Sequence, residues 1–237
     1  MGGVKLGVSV SLDGIAAMND NIRGVPGSYK LARKTLSSLS AVKKAQPRFT
    51  LSVGLTLTPE NLREAPIVQR IAYNNGADFS FRSIHGSDFY YNNTQSESLD
   101  TDTLASVLTS IAYNAVTYKG RIRSLTTLRY IQGVYQFNCK ERVLPCTAGS
   151  NSFFLDPSGN IYPCLVMDHK LGNIREESFE SIWESDEAYE AREIVSNLKC
   201  PTCWLECEAF REINKDKTGL AKTLFRSLLK YNGLDVY

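Results

Sequence analysis

The chain has 237 residues, of which 43% are hydrophobic and 22% charged, and this composition excludes a largely disordered protein. The length fits one large domain or two small ones. The net charge of +2 gives no reason to expect a nucleic acid or a membrane surface as a partner. No segment approaches the ~20 apolar residues of a membrane span. The N-terminus lacks the pattern of a secretion signal, so we expect a cytoplasmic protein.

Up to residue 138, predicted strands alternate with predicted helices. Apolar and β-branched runs predict strands over residues 4–12, 49–57 and 78–84. Apolar residues at helical spacing predict helices that begin near Pro26, near Asn61, and after Asp100 or Thr101. This alternation favours right-handed βαβ units with a parallel sheet, in which ligands bind at the C-terminal ends of the strands.

The rest of the chain has a different pattern. Pro157-Ser158-Gly159 separates two short strand candidates, as expected for a hairpin. Short helices are predicted over 179–184 and 187–197. The last helix is expected to bury one face formed by Leu220, Leu224 and Leu228. The polar loop 85–99, which has three adjacent aromatic residues, is either a lid over a site or an ordered surface loop.

All six cysteines lie between residues 139 and 207, which favours metal or iron–sulfur ligands over a secreted disulfide framework. A Cys-x-x-Cys turn supplies two thiolates from one knuckle, and the base of a hairpin can supply two more. Structural zinc fits the same thiolates, and buried free cysteines or disulfides remain a further alternative. Cys139 lies outside the pattern and is expected to be a packed helix residue. The candidate ligands are Cys146, Cys164, Cys200, Cys203 and Cys207.

The cysteine region resembles the auxiliary-cluster domain of radical S-adenosylmethionine enzymes, known as SPASM or, in its shorter form, twitch. CTAGSNSFFLDPSGNIYPC, KLGNIREESFESIWES and CPTCWLEC carry the resemblance. It implies one [4Fe–4S] cluster rather than the two of a full SPASM domain, because no cysteine follows Cys207. Its ligands would be Cys146, Cys164 and two of the three later cysteines, with Cys200 and Cys203 favoured.

The first part resembles the fourth to sixth strands of the barrel in the same enzymes, through VSVSLDG, FTLSVGLTLTPEN and GADFSFRSIHGSDFY. The expected fold is therefore α/β. Half of a partial (βα) barrel with parallel strands would fill residues 1–138, followed by a small α+β SPASM/twitch domain with a β-hairpin and cysteine cluster over 139–215. A C-terminal helix would fill 216–237.

The motif CxxxCxxC, which holds the S-adenosylmethionine-binding cluster in these enzymes, is absent from the sequence. We therefore expect the chain alone not to cleave S-adenosylmethionine. It would be the C-terminal part of a longer or split enzyme, a degenerate relative, or a chain whose missing barrel half another chain supplies. S-adenosylmethionine and a second [4Fe–4S] cluster are expected only in an intact parent. The first strand would then have an unpaired edge.

Five residues of the barrel half are candidates for cofactor binding in such a parent. Ser11 and Asp13 end the first strand. The structural alternative for Ser11 is a hydrogen bond in the barrel interior, and for Asp13 it is a helix or turn cap. Arg23 binds a cofactor carboxylate or forms a structural ion pair. Ser80 and Arg82 alternate with phenylalanines on the third strand. His85 and His169 are isolated and are expected to be surface or packed residues.

Two functions are compatible with these patterns. In the first, the intact parent abstracts a hydrogen atom from a peptide or small-molecule substrate and oxidises or modifies it. The auxiliary cluster would then accept an electron or anchor the substrate. In the second, the chain is a non-enzymatic interaction module with a four-cysteine structural zinc site. Whether the chain is itself an enzyme stays open.

Overall fold

The computed structural model describes residues 4–85, 99–139 and 142–229, and the predicted loop 85–99 lies outside this range except for its two ends. Three parallel strands form the first sheet, in the order β1-β2-β3. They are β1 (Leu6–Ser11), β2 (Phe49–Leu57) and β3 (Asp78–Ser83). All three lie where the sequence predicts strands.

Helices connect and cover these strands. Between β1 and β2 lie α1 (Ala17–Arg23) and α2 (Ser28–Ala45), and between β2 and β3 lie a 3₁₀ turn (Leu62–Glu64) and α3 (Ala65–Asn74). After β3 come α4 (Thr101–Lys119) and α5 (Arg121–Asn138). The Asp100 side chain caps α4, as predicted, by accepting a hydrogen bond from the Thr103 backbone at 2.9 Å. The sequence reasoning missed α1 and α5.

The two faces of the parallel sheet differ in polarity. Val53, Leu55 and Phe81 are buried on the face that packs against helices α2 to α5. The strand register places Ser11, Gly54 and Ser80 side by side on the opposite, polar face. The first strand lies at one edge of the sheet, where Leu6 is 58% exposed.

A second, antiparallel sheet begins the cysteine-bearing part. Its strands are β4 (Phe154–Leu155), β5 (Asn160–Tyr162) and β6 (Gly172–Asn173), in that order. Gly159 forms the turn between β4 and β5 with a φ of 90°, where an added Cβ atom would lie 2.9 Å from Asn173 Oδ1. Two short helices follow, α6 (Phe179–Trp183) and α7 (Asp186–Ser196), each capped by a serine side chain.

The last two helices, α8 (Glu206–Lys215) and α9 (Lys217–Leu229), return to the first part of the chain. Trp204, Ala209 and Ile213 belong to the hydrophobic core formed by the parallel sheet and its helices. The cysteine-bearing part is therefore anchored to the first part through the segment around Trp204.

The predicted apolar face of α9 is only partly correct. Leu220 and Leu224 are half-buried, but Leu228 is 51% exposed, whereas Thr223 and Ser227 are buried. The helix packs against α5, where Thr223 Oγ1 donates a hydrogen bond to Gln132 Oε1 at 3.1 Å. Short hydroxyl side chains therefore form the contact that the leucine pattern was expected to supply. None of the helices in the described ranges is long and apolar enough to cross a membrane.

Candidate metal centre

One cavity of about 190 Å³ brings together the five candidate ligands. Cys146 precedes the second sheet, Cys164 follows β5, and the other three lie between α7 and the first turn of α8. All six cysteines of the chain are free thiols. Cys139 is the exposed C-cap of α5, so the expectation that it would be a packed residue is wrong. The thiol cavity, as we call this space, is the candidate site. Its cysteines are Cys146, Cys164, Cys200, Cys203 and Cys207.

Backbone N–H groups lie beside all five of these sulfur atoms and lower the pKa values of the thiols. The thiol of Cys146 accepts a hydrogen bond from the Ala148 backbone, and that of Cys203 from the Leu205 backbone. Cys164 accepts two such bonds, from Val166 and Met167. Donors of this kind stabilise a thiolate and tune the potential of an iron–sulfur cluster.

Burial opposes ionisation of the thiols in the absence of a metal. It raises the pKa of Cys164 to about 11 and that of Cys203 to about 12, and the neighbouring thiols add to both increases. Burial also raises the pKa values of Cys146, Cys200 and Cys207. A bound cation would supply the positive charge that thiolates in this cavity need, so the donor set fits a metal centre. In the described part of the chain, no three His, Cys, Asp or Glu side chains converge on a point that could hold a single metal ion.

Two buried glutamates of α8 hold the loop that follows Cys146. Ser152 Oγ donates a hydrogen bond to Glu208 Oε1, and Thr147 Oγ1 donates to Glu212 Oε1, both at 2.7 Å. Glu208 is 5% exposed and Glu212 is 7% exposed. Each glutamate also forms an ion pair: Arg211 lies 3.5 Å from Glu208, and Lys215 lies 2.9 Å from Glu212. The sequence reasoning missed both glutamates, although their four-residue spacing places them on one helix face.

The segment between Cys203 and Cys207 is fixed to the parallel sheet. The Trp204 backbone N–H donates to His85 Nε2 at 3.1 Å, and His85 Nδ1 lies 2.6 Å from the Ser83 carbonyl oxygen. His85 is therefore neutral with its proton on Nδ1, and it is packed, in agreement with the sequence reasoning. The Trp204 indole N–H donates to the Tyr130 carbonyl at 3.1 Å.

Glu206 makes a second contact with the sheet. Its carboxylate accepts hydrogen bonds from the Phe81 backbone and the Ser80 side chain. Burial raises the pKa of Glu206, while the positive charge of Arg82 opposes that increase. Ser80 and Arg82 therefore lie at the boundary between the polar sheet face and the cysteine-bearing segment, with Ser80 half-buried and Arg82 exposed.

The other candidates of the barrel half pair with one another. Arg23 forms an ion pair with Asp13 at 2.5 Å, and Asp13 Oδ1 also accepts a hydrogen bond from the Thr56 backbone at 2.9 Å. The Asn61 side chain donates to the Asp13 carbonyl at 2.9 Å. The ion pair agrees with the structural alternative considered for Arg23, whereas the Asp13 side chain contacts the β2 backbone and does not cap α1. Ser11 is exposed at the end of β1.

Comparison with known proteins identifies the region around the thiol cavity. Residues 146–208 match the SPASM family, described as an iron–sulfur cluster-binding domain, and the match includes all five cavity cysteines. The AdoMet-dependent heme synthase of Methanosarcina barkeri is 26% identical over 222 residues, covering 83% of this chain and 59% of that protein. Mycofactocin maturase MftC of Mycobacterium tuberculosis is 26% identical over 207 residues, covering 83% of this chain and 49% of that protein.

These matches confirm the expected resemblance to radical S-adenosylmethionine enzymes that carry a SPASM domain. The chain spans between 49% and 59% of the length of these curated relatives.

Proposed function

We propose that this chain binds one auxiliary [4Fe–4S] cluster in the thiol cavity and serves as the cluster-bearing part of a radical S-adenosylmethionine enzyme. The observation that carries the proposal is the single cavity lined by five cysteines inside the matched SPASM region. Backbone N–H groups beside all five thiols support it, because such donors recur as a means of tuning iron–sulfur centres.

We assign Cys146, Cys164, Cys200 and Cys203 as the ligands. Negative charge on Cys146 and Cys200 raises the pKa of Cys164, and negative charge on Cys164 and Cys146 raises that of Cys203. These mutual effects support the assignment of the four thiols to one ligand set. The strongest electrostatic influence on the Cys207 thiol comes instead from Glu208, and Cys207 is an exposed residue, which makes it the spare thiol.

A cluster suits this arrangement better than a single zinc ion does. Zinc holds four thiolate sulfurs around one atom, at about 2.3 Å from the metal. A [4Fe–4S] cluster binds each thiolate to a different iron, so its ligands surround a volume. Thiols arranged around a cavity of about 190 Å³ match the second geometry. Structural zinc in a non-enzymatic interaction module is the alternative that the experiment below tests.

The proposed role in the complete enzyme follows from the fold and the relatives. A part that carries the S-adenosylmethionine-binding cluster, on the same polypeptide or on a partner chain, would complete the barrel at the exposed β1 edge and supply the radical chemistry. The substrate would be a peptide or a small molecule, since the relatives are named as a maturase and a heme synthase. When bound, the auxiliary cluster would accept an electron from the substrate or anchor it.

In this proposal the polar face of the parallel sheet faces the substrate side. Ser11, Ser80 and Arg82 would provide hydrogen bonds and positive charge there, while Asp13 and Arg23 would shape the loop after β1. We propose the division into residues 1–138, 139–215 and 216–237, with the second unit docked on the first through Trp204.

Anaerobic purification followed by metal and sulfide analysis tests the cluster. We expect a brown protein with four iron and four inorganic sulfide per chain. Cys146→Ala and Cys164→Ala should remove the cluster, whereas Cys207→Ala, the matched control inside the same cavity, should retain it. A colourless protein with one zinc per chain would overturn the proposal. Loss of the cluster in Cys207→Ala with retention in Cys200→Ala would overturn the ligand assignment.

A further inference from the structure

The side chain of Arg142 reaches into the thiol cavity from the segment between α5 and Cys146. Its Nε donates a hydrogen bond to the Leu144 carbonyl at 2.8 Å, and its Nη1 donates to the Cys203 carbonyl. The guanidinium carbon lies 5.7 Å from the centre of the Trp204 ring. Three contacts therefore fix the position of this charge, and one of them is made to a proposed ligand residue.

The charge of Arg142 lies in the same cavity as the proposed ligands, since Arg142 and all five cysteines line it. Among the described residues, no carboxylate forms an ion pair with Arg142. Arg211, the other arginine that lines the cavity, is paired with Glu208 at 3.5 Å. The positive charge of Arg142 is thus available to thiolates in the cavity.

A fixed cation has a defined effect on a cluster held by four thiolates. Such a centre carries net negative charge, and reduction adds another electron to it. Because the cation stabilises the more negative, reduced form, it raises the reduction potential. A half-buried site strengthens this effect, since water screens the charge less there.

We infer that Arg142 is the charge-compensating residue of the proposed cluster and sets its reduction potential. It acts by direct electrostatics, and its hydrogen bond to the Cys203 carbonyl holds the Cys200–Cys203 knuckle at a fixed distance from the charge. This inference rests on the proposed function, because it requires that the thiol cavity hold an iron–sulfur cluster.

The chain contains a matched control in Arg192. Its Nε donates to the Gly149 carbonyl at 2.8 Å, its Nη2 donates to the Trp183 carbonyl at 2.5 Å, and its guanidinium carbon lies 4.7 Å from the Trp183 ring centre. Arg192 thus makes the same kinds of contact as Arg142, but it is not among the residues that line the thiol cavity. Removing it should destabilise the protein without changing the charge in the cavity.

The test is a redox titration of the anaerobically reconstituted full chain, followed by electron paramagnetic resonance, with thermal unfolding measured in parallel. Arg142→Gln should lower the midpoint potential, and Arg142→Lys, which keeps the charge, should stay near the wild-type value. Arg192→Gln should lower the melting temperature and leave the potential unchanged.

Other results of the redox titration would refute either the role of Arg142 or the proposed function. A wild-type potential in cluster-loaded Arg142→Gln, or equal shifts in Arg142→Gln and Arg142→Lys, would overturn the role of the charge. Arg142→Gln could lose its cluster, which would leave no potential to measure. In that case Arg142→Lys should retain as much iron as Arg192→Gln. Loss of iron from Arg142→Lys as well would overturn the inference. A wild-type chain without an iron–sulfur cluster would refute the proposed function itself.

Discussion

Replacement of Gly133 by alanine should destabilise the protein and disturb the proposed cluster. Gly133 lies inside α5 against the indole ring of Trp204. A Cβ atom at this position would lie 2.7 Å from Trp204 Nε1 and would overlap two carbon atoms of the ring. Trp204 directly follows Cys203, so any shift of the indole is transmitted to a proposed ligand.

The expected change in the free energy of unfolding of Gly133→Ala is the sum of two destabilising contributions and one stabilising contribution. Overpacking of this kind costs about 1–3 kcal/mol. Loss of the hydrogen bond from the Trp204 indole to the Tyr130 carbonyl, which would leave a buried donor unpaired, adds about 1–3 kcal/mol. The higher helix propensity of alanine offsets about 1 kcal/mol. We therefore expect a net loss of roughly 1–5 kcal/mol in the free energy of unfolding.

Urea unfolding of Gly133→Ala, Trp204→Leu and the double variant measures this coupling. The smaller leucine removes the overlap, so the double variant should lose less stability than the sum of the two single losses. Iron content per chain should fall in Gly133→Ala, because the knuckle is displaced. A Gly133→Ala variant as stable as wild type, or losses that simply add, would refute the close contact.

Three further predictions follow from the same contacts. Because metal binding is coupled to folding, Cys146→Ala and Cys164→Ala should unfold at lower temperature than the wild-type holoprotein. Cys139→Ala should leave the melting temperature and the iron content unchanged. Equal metal loss in Cys139→Ala would contradict the ligand set. Burial lowers the pKa of His85, so the folded state disfavours its protonation, and the free energy of unfolding should fall as the pH drops below about 6.5, the ordinary histidine value. A His85→Phe variant should lose this part of the pH dependence in urea titrations at pH 7.5 and 5.5, and an unchanged slope would exclude His85 as its source. The purified chain mixed with dithionite and S-adenosylmethionine should form no 5′-deoxyadenosine, because its sequence lacks CxxxCxxC, and detection of that product by chromatography would show the expectation to be wrong.

Elements with strong local patterns could be predicted from the sequence. The β2 strand spans the predicted residues 49–57 because large apolar residues alternate with Thr, Ser and Gly along the whole segment, which is typical of a strand. The α4 helix begins where Asp100 provides a cap. Helix α5 was missed because Arg, Ser and Thr interrupt its apolar residues, and its buried positions depend on contacts with α4 and α8.

The sequence predicted the part of the candidate site that depends on the spacing of the cysteines along the chain, but not the other residues of the site. The positions of the cysteines follow a local pattern, and five of them line one cavity. The contacts of Arg142, Glu208 and Glu212 join segments that are more than fifty residues apart in sequence, and no local signal marks them. The exposed position of Cys139 likewise depends on where α5 ends.

X-ray absorption spectroscopy of the anaerobically purified wild-type chain tests the central claim most directly. We predict an iron edge, iron coordinated by sulfur, and iron–iron scattering from neighbouring metals within one cluster. An iron-free protein with a zinc edge, four sulfur ligands at about 2.3 Å and no metal–metal scattering would contradict the account.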